Sequence, residues 1–131
     1  MYVIHDTSTT EMFHRNGLSL LDSLTYDDFI LKNKKSIIIP KIENSQASIH
    51  ILTKEELNKI FDRGGWRKHH RKYKYNPIVK ISRPGINTKK DLAFIYYSET
   101  SGGLDGAGFY VILKKENGKW IEKEYWLAWI A

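Results

Sequence analysis

The sequence predicts a single-domain α+β fold in which helices pack against a curved antiparallel sheet. Runs of β-branched and aromatic residues, separated by turn residues, fill the last third of the chain. This pattern is typical of consecutive antiparallel strands. Helix-capping signals lie upstream of these runs. With 131 residues and no cysteine, the chain is long enough to bury one core without disulfides or a metal.

Four strands are expected in a C-terminal meander, at about residues 78–83, 92–98, 109–115 and 120–130. Pro84-Gly85 ends the first strand, because proline cannot donate a hydrogen bond to a neighbouring strand. The other three strands follow one another through short connections, so each is expected to pair with the next.

The last two strands are joined at Asn117-Gly118, where both residues tolerate the positive φ that tight hairpin turns require. A two-residue loop would pair Leu113 with Glu122, and a three-residue loop would pair Leu113 with Ile121. We favour the three-residue loop, because it places apolar side chains opposite each other.

Two helices are predicted ahead of the meander. In the first, Thr25 is the expected N-cap, and the helix ends near Asn33. The second occupies about residues 54–63, because Thr53 and Glu56 form a capping-box pattern. The apolar stripe of this second helix, which we expect to pack on the meander, consists of Leu57, Ile60 and Phe61.

The remaining segments carry weaker patterns. Residues 1–17 are polar and are expected to form a loosely ordered arm. One or two additional strands are predicted at residues 36–42 and 47–52, and Pro40 marks the first of these as an edge strand. No run has the length of a membrane span, and the start lacks the pattern of a signal peptide. The compartment therefore stays open between the cytoplasm and export after removal of a signal.

Residues 63–74 carry the entire formal net charge of the chain, +6. The segment contains six Lys/Arg and no acid, whereas the rest of the sequence contains fifteen Lys/Arg and fifteen Asp/Glu. Cations interleaved with aromatic residues favour contact with an anionic partner, either an acidic protein or a nucleic acid. In the alternative interpretation, the aromatic residues anchor a helix-to-strand connection and the cations extend into water. The candidate partner-binding residues are Arg63, Trp66, Arg67, Lys68, His69, His70, Arg71, Lys72 and Lys74.

The glycine-rich stretch at residues 101–108 matches neither a dinucleotide-binding fingerprint nor a P-loop, because a strand follows it instead of a helix. A long β-hairpin loop is the favoured interpretation, with glycines that supply left-handed φ and a bulge. The functional alternative is a mobile rim whose backbone amides receive a carboxylate or phosphate. The residues of this candidate anion site are Arg83, Gly102, Gly103, Asp105 and Gly106.

Few residues fit the sequence patterns of catalytic or metal-binding sites. His5, Asp6 and His14 lack the spacing of helical metal ligands. The adjacent His69 and His70 would diverge on a regular element. We therefore predict no catalytic residue, no metal site and no cofactor. Aromatic residues in the last strand exceed what one core face needs, so we expect some to line a pocket or partner surface, from among Trp120, Tyr125, Trp126 and Trp129.

Three short motifs occur in order: Ile-Ser-Arg-Pro-Gly-Ile-Asn at residues 81–87, Gly-Gly-Leu-Asp-Gly-Ala-Gly-Phe-Tyr at 102–110, and Gly-Lys-Trp at 118–120. In these motifs the chain resembles a family of small uncharacterised bacterial α+β proteins, many of them exported. The resemblance implies an α+β fold and export, and it implies no catalytic residue. The Gly-Lys-Trp ending is also similar to the last strands of cone-shaped domains such as nuclear transport factor 2 and cystatin. That fold serves enzymes, carriers and binding modules alike.

These observations predict a non-enzymatic binding protein whose partner is another protein with an acidic surface. A toxin-neutralising immunity protein is the most specific version of this hypothesis. A small-ligand-binding or enzymatic cone domain is the first alternative, and a deep pocket would mark it. Nucleic-acid binding through residues 63–75 is the second, and salt-dependent affinity would mark it.

Overall fold

A five-stranded antiparallel sheet forms the centre of the fold in a computed structural model, which describes residues 8–37, 42 and 49–131. Its strands are β1 (Ile78–Ile81), β2 (Gly85–Ile86), β3 (Leu92–Gly102), β4 (Asp105–Glu116) and β5 (Lys119–Ile130). The main path is β1-β3-β4-β5, and β2 pairs with β3 on the same side as β1. The predicted α+β class with an antiparallel C-terminal meander is therefore confirmed.

The described residues also form helices α1 (Ser8–Arg15), α2 (Ser23–Lys32), α3 (Lys54–Asp62) and α4 (Gly65–Tyr73). Residues 8–15 differ from the expected loose arm, because α1 brings the aromatic ring of Phe13 into the core, where it is 4% exposed. None of the helices in the described ranges is long and apolar enough to cross a membrane.

The main core lies between α1, α2 and one face of the sheet. The ring centroids of Phe29 on α2 and Phe94 on β3 are 4.8 Å apart, and those of Phe13 and Phe94 are 5.4 Å apart. At Gly85 of β2, an added Cβ would collide with the Thr25 carbonyl oxygen and with Phe29. Glycine is therefore required there for α2 to lie directly on β2.

The helix that packs on the sheet is α2, whereas the prediction gives this position to α3. The capping box of α3 is confirmed, since Thr53 Oγ1 accepts from the Glu56 amide at 3.1 Å and Glu56 Oε2 accepts from the Thr53 amide at 2.9 Å. However, α3 packs on α4, with the rings of Phe61 and Trp66 5.2 Å apart. The prediction is wrong because it treats residues 63–74 as a connection and so overlooks a second helix that can cover the stripe of α3.

The N-cap of α2 is Asp22 rather than the predicted Thr25. Asp22 Oδ1 accepts a hydrogen bond from the Thr25 amide at 2.7 Å. Thr25 lies in the first turn of the helix and is fully buried. The end of α2 is as predicted, with Asn33 as its C-cap.

The hairpin at Asn117-Gly118 has a two-residue turn, with φ values of 50° and 76°. Leu113 pairs with Glu122, so the favoured three-residue loop is wrong. Positive φ at both turn residues matches the twist of the strands. A bulge immediately beyond this pair shifts the register by one residue, and apolar side chains of β4 and β5 then lie opposite each other.

The additional strand is β2, and it lies where no strand is predicted. Residues 36, 37, 42 and 49–52 have no regular secondary structure, and the other residues of the predicted strands at 36–42 and 47–52 lie outside the described ranges. The predicted strand at 78–83 ends at Ile81, and pairing resumes after Pro84 at Gly85.

Candidate anion-binding surface

The basic segment folds as helix α4, which separates its residues onto two sides. Gly64 and Gly65 have φ values of 140° and 54°, which allow the chain to reverse between α3 and α4. The inner side of α4 carries Trp66, His69 and Tyr73, which are buried or half-buried. The outer side carries only exposed cations, namely Arg67, Lys68, Arg71 and Lys72.

The inner side holds His69 between two aromatic rings. Its ring centroid lies 5.2 Å from that of Trp66 and 5.2 Å from that of Tyr73. Burial lowers the pKa of His69, and the charge of the neighbouring His70 lowers it further. Within the described part of the chain, neither His69 Nδ1 nor the Tyr73 hydroxyl has a hydrogen-bond partner. As His69 is only 2% exposed, its ring packs between Trp66 and Tyr73 and is not available to a partner.

We call the outer surface of α4 with its flanking cations the cationic face, made of Arg63, Arg67, Lys68, Arg71, Lys72 and Lys74. Among the residues that the structure describes, no carboxylate forms an ion pair with these six side chains. Lys68 Nζ donates to the carbonyl of Lys59 at 2.9 Å, which ties α4 to α3. The cationic face thus presents its positive charge to solvent.

The chain leaves α4 through two successive residues with left-handed backbones, Lys74 (φ 53°) and Tyr75 (φ 65°). This conformation costs non-glycine residues about 1–2 kcal/mol each. It turns the Tyr75 ring back onto the ring of His70, with centroids 4.4 Å apart and planes 26° from parallel. Tyr75 nevertheless remains 73% exposed.

His70 connects the basic segment to the glycine-rich hairpin. Its Nε2 lies 2.6 Å from the carbonyl oxygen of Ser101. A carbonyl oxygen can only accept, so Nε2 carries the proton and the ring orientation is set by this bond. The structure therefore brings together two segments that the sequence singles out separately.

An open cleft of about 540 Å³ lies beside His70. It is lined by Arg67, His70, Arg71 and Tyr75. Arg67 and Arg71 are one helical turn apart, about 6 Å along the axis, so both guanidinium groups can reach one anion. A guanidinium group can donate two parallel hydrogen bonds to a phosphate or carboxylate group.

The sequence predicts a long loop for the glycine-rich stretch, and this prediction is wrong. Strands β3 and β4 extend to Gly102 and Asp105, and only Gly103 and Leu104 form the turn. The predicted bulge is present beside Gly102. None of the glycines at 102, 103, 106 and 108 has a left-handed φ, so they do not form an anion cradle of turning amides.

Two of these glycines make room for a tryptophan instead. An added Cβ at Gly106 would lie 3.3 Å from the Trp129 ring, and one at Gly108 would collide with that ring. Trp129 Nε1 donates to the Tyr96 hydroxyl at 2.7 Å. Small residues at this point of β4 therefore let the indole lie flat on the sheet.

Arg83 does not join the glycine-rich hairpin. Arg83 follows the C-terminal end of β1, where Ile81 pairs with Tyr97. The hairpin turn lies beyond the opposite end of β1, where Ile78 pairs with Thr100. Arg83 Nη1 donates to the Lys32 carbonyl at 3.2 Å, at the end of α2. Arg83 thus attaches α2 to the sheet and is not part of one anion site with the hairpin.

The aromatic residues of β5 divide between the core and the surface. Trp126 stacks on Tyr110 with centroids 5.6 Å apart and packs against the core. Trp120 is 41% exposed and Tyr125 is 62% exposed. This division agrees with the expectation that one core face does not use all of them.

A metal centre is not evident in the part of the chain that the structure describes, where no three potential ligands cluster. His14 Nε2 bonds the Leu21 carbonyl at 2.5 Å, and His5 and Asp6 lie outside the described residues. Asp105 is exposed at the hairpin turn.

Comparison with protein-family models, with curated proteins and with solved structures found no match. The resemblance to small bacterial proteins and to cone-shaped domains therefore stays a prediction. The residues of the site define its chemistry: they offer cations and one exposed ring to an anionic ligand.

Proposed function

We propose that the chain is a non-enzymatic binding protein that holds single-stranded nucleic acid on the cationic face of α4. The observation that carries this proposal is the position of Tyr75, which is 73% exposed beside Arg67 and Arg71. Cations that follow a phosphate backbone, combined with a ring on which a base can stack, are what sequence-tolerant single-strand binders use.

The composition of the cationic face favours nucleic acid over an acidic protein. Protein interfaces are depleted in lysine, although arginine is enriched in them, whereas nucleic-acid interfaces are rich in positive charge. The outer side of α4 offers four cations and no apolar side chain, because Trp66 and Tyr73 turn inward. A single strand is favoured over a duplex, because a base must be unpaired to stack on Tyr75.

An acidic protein partner is the second candidate, and Leu104 favours it. This side chain is 90% exposed at the turn of the hairpin that His70 tethers to α4. An apolar side chain with this exposure, on a hairpin in contact with α4, is a candidate contact for a partner protein. A toxin-neutralising protein would be one form of this candidate.

Fluorescence anisotropy with a labelled thymidine strand of about 12 nucleotides tests the proposal between about 50 and 200 mM salt. Affinity should fall as salt rises, with a logarithmic slope near 0.7 for each phosphate contacted. A four-site variant should weaken binding and flatten this slope; it carries alanine at Arg67, Lys68, Arg71 and Lys72.

The matched control also removes four exposed cations but leaves the cationic face intact; it carries alanine at Lys34, Lys35, Lys89 and Lys119. Equal weakening in both variants would show a response to net charge alone and would refute the role of α4. The acidic-protein candidate replaces nucleic-acid binding if two results are obtained together. No strand binds at low salt, and after nuclease treatment an acidic protein is retained by the control variant but not by the α4 variant.

A further inference from the structure

We propose that the cleft beside the C-terminal end of α4 is a subsite for one nucleotide, with the base on Tyr75 and its phosphate between Arg67 and Arg71. This inference rests on the proposed function and adds the place where a base is held. The cleft volume of about 540 Å³ lies within the range of about 300–1,000 Å³ that small ligands occupy.

The base platform is a pair of stacked rings rather than one mobile side chain. His70 covers one face of the Tyr75 ring at a centroid distance of 4.4 Å, and the tyrosine remains 73% exposed, which leaves its other face to a ligand. His70 is itself held by its hydrogen bond to the Ser101 carbonyl. A ring that is oriented before binding loses little freedom when a base stacks on it.

The backbone supports the same assignment. Lys74 ends α4 in the left-handed conformation that is common at helix ends, but the next residue, Tyr75, also has a positive φ, and such conformations concentrate at binding sites. With these φ values the chain returns the Tyr75 ring to His70. The unfavourable conformation is therefore what creates the platform.

The phosphate position follows from the helix. Arg67 and Arg71 project from successive turns of α4 into the cleft that Tyr75 also lines. Phosphate oxygens accept paired hydrogen bonds from a guanidinium group, and arginine provides this geometry better than lysine. One nucleotide can therefore use the ring and both arginines together.

The experiment compares a labelled thymidine strand with an abasic strand of equal length, which keeps the phosphates and lacks the bases. The protein should bind the thymidine strand more tightly. Tyr75→Ala should weaken the binding of the thymidine strand about 5- to 150-fold, as expected for one stacked base. The same variant should leave the affinity for the abasic strand unchanged.

Three further variants separate the parts of the subsite. Tyr75→Phe keeps the ring and should keep the affinity, and Tyr125→Ala removes another exposed tyrosine, on β5, and should have no effect. Arg67→Ala with Arg71→Ala should weaken binding of both strands. Circular dichroism should show each variant folded, which is expected because these side chains are exposed.

Equal affinity of the two strands, or equal weakening of both by Tyr75→Ala, would overturn the subsite while leaving binding through α4 intact. Binding of neither strand at low salt would overturn both the subsite and the proposed function. The two failures are therefore distinguishable.

Discussion

Glu124 on β5 holds Ser19 through two hydrogen bonds. Its Oε2 accepts from the Ser19 amide at 3.1 Å and from the Ser19 hydroxyl at 2.6 Å, and its Oε1 accepts from the Leu20 amide at 2.7 Å. One carboxylate thereby fixes the connection between α1 and α2 to an edge strand more than a hundred residues away in sequence. Because α1 inserts Phe13 into the core, this contact attaches the N-terminal part of the fold to the sheet.

Replacing Glu124 with alanine should lower the free energy of unfolding by on the order of 1.5–3 kcal/mol, the range for hydrogen bonds to a charged group. Urea unfolding followed by fluorescence measures this change. The matched control is Glu122→Ala, on the same strand, whose side chain is exposed. An equal midpoint for the two variants would mean that the contact with Ser19 contributes no stability.

The sequence predicts the sheet well because strand signals are local. β-branched and aromatic runs identify β3, β4 and β5, although each strand is one to several residues longer in the structure. The capping box at Thr53 is also local and is confirmed. What the sequence does not reveal is the partner of each surface, such as the packing of α3 on α4, because that depends on contacts between distant residues.

The candidate site could be predicted in part. The charge of residues 63–74 is visible in the sequence. The sequence does not show that α4 separates these side chains into a buried side with His69 and a cationic face. Tyr75 lies outside the nine candidate partner-binding residues but within residues 63–75 of the predicted nucleic-acid alternative, and no local pattern indicates its left-handed φ. The predicted register at Asn117-Gly118 is wrong because it puts apolar pairing above turn geometry, whereas a bulge beyond the two-residue turn satisfies both.

Gly108→Ala should destabilise the protein by roughly 1–3 kcal/mol, the usual cost of adding a methyl group to a packed site. The added Cβ would collide with the Trp129 ring. Gly103→Ala is the control, since no atom lies within 4 Å of its added Cβ and its φ is not left-handed. Thermal unfolding measures both changes. In a Trp129→Ala background the alanine at 108 should become nearly neutral, and a cost that persisted there would point to the backbone instead.

Thr53→Ala should lower stability by about 1 kcal/mol, because it removes the side-chain acceptor of the capping box. The Glu56 amide would lose the hydrogen bond that Thr53 Oγ1 now accepts at 3.1 Å. Thr88→Ala, in an exposed turn, is the matched control. Hydrogen exchange of the first amides of α3 should increase in the Thr53 variant and not in the control. Unchanged exchange would show that the cap does not limit opening of the helix.

His69 should make stability depend on pH. The unfolded chain binds the histidine proton at a pKa of about 6.5. Burial, together with the charge of His70, holds the folded pKa lower. Between these two values the unfolded state binds more protons, so the free energy of unfolding should decrease as pH falls below about 6.5.

Urea unfolding at several pH values, from about 8 to 5, measures this dependence. His69→Gln should flatten it, because the group that titrates differently in the two states is removed. His50→Gln is the control, since His50 is exposed and its removal should leave the decline in place. A decline that is equally steep in His69→Gln and in the wild-type protein would show that other groups cause the acid sensitivity. It would also mean that the aromatic environment formed by Trp66 and Tyr73 does not keep His69 neutral.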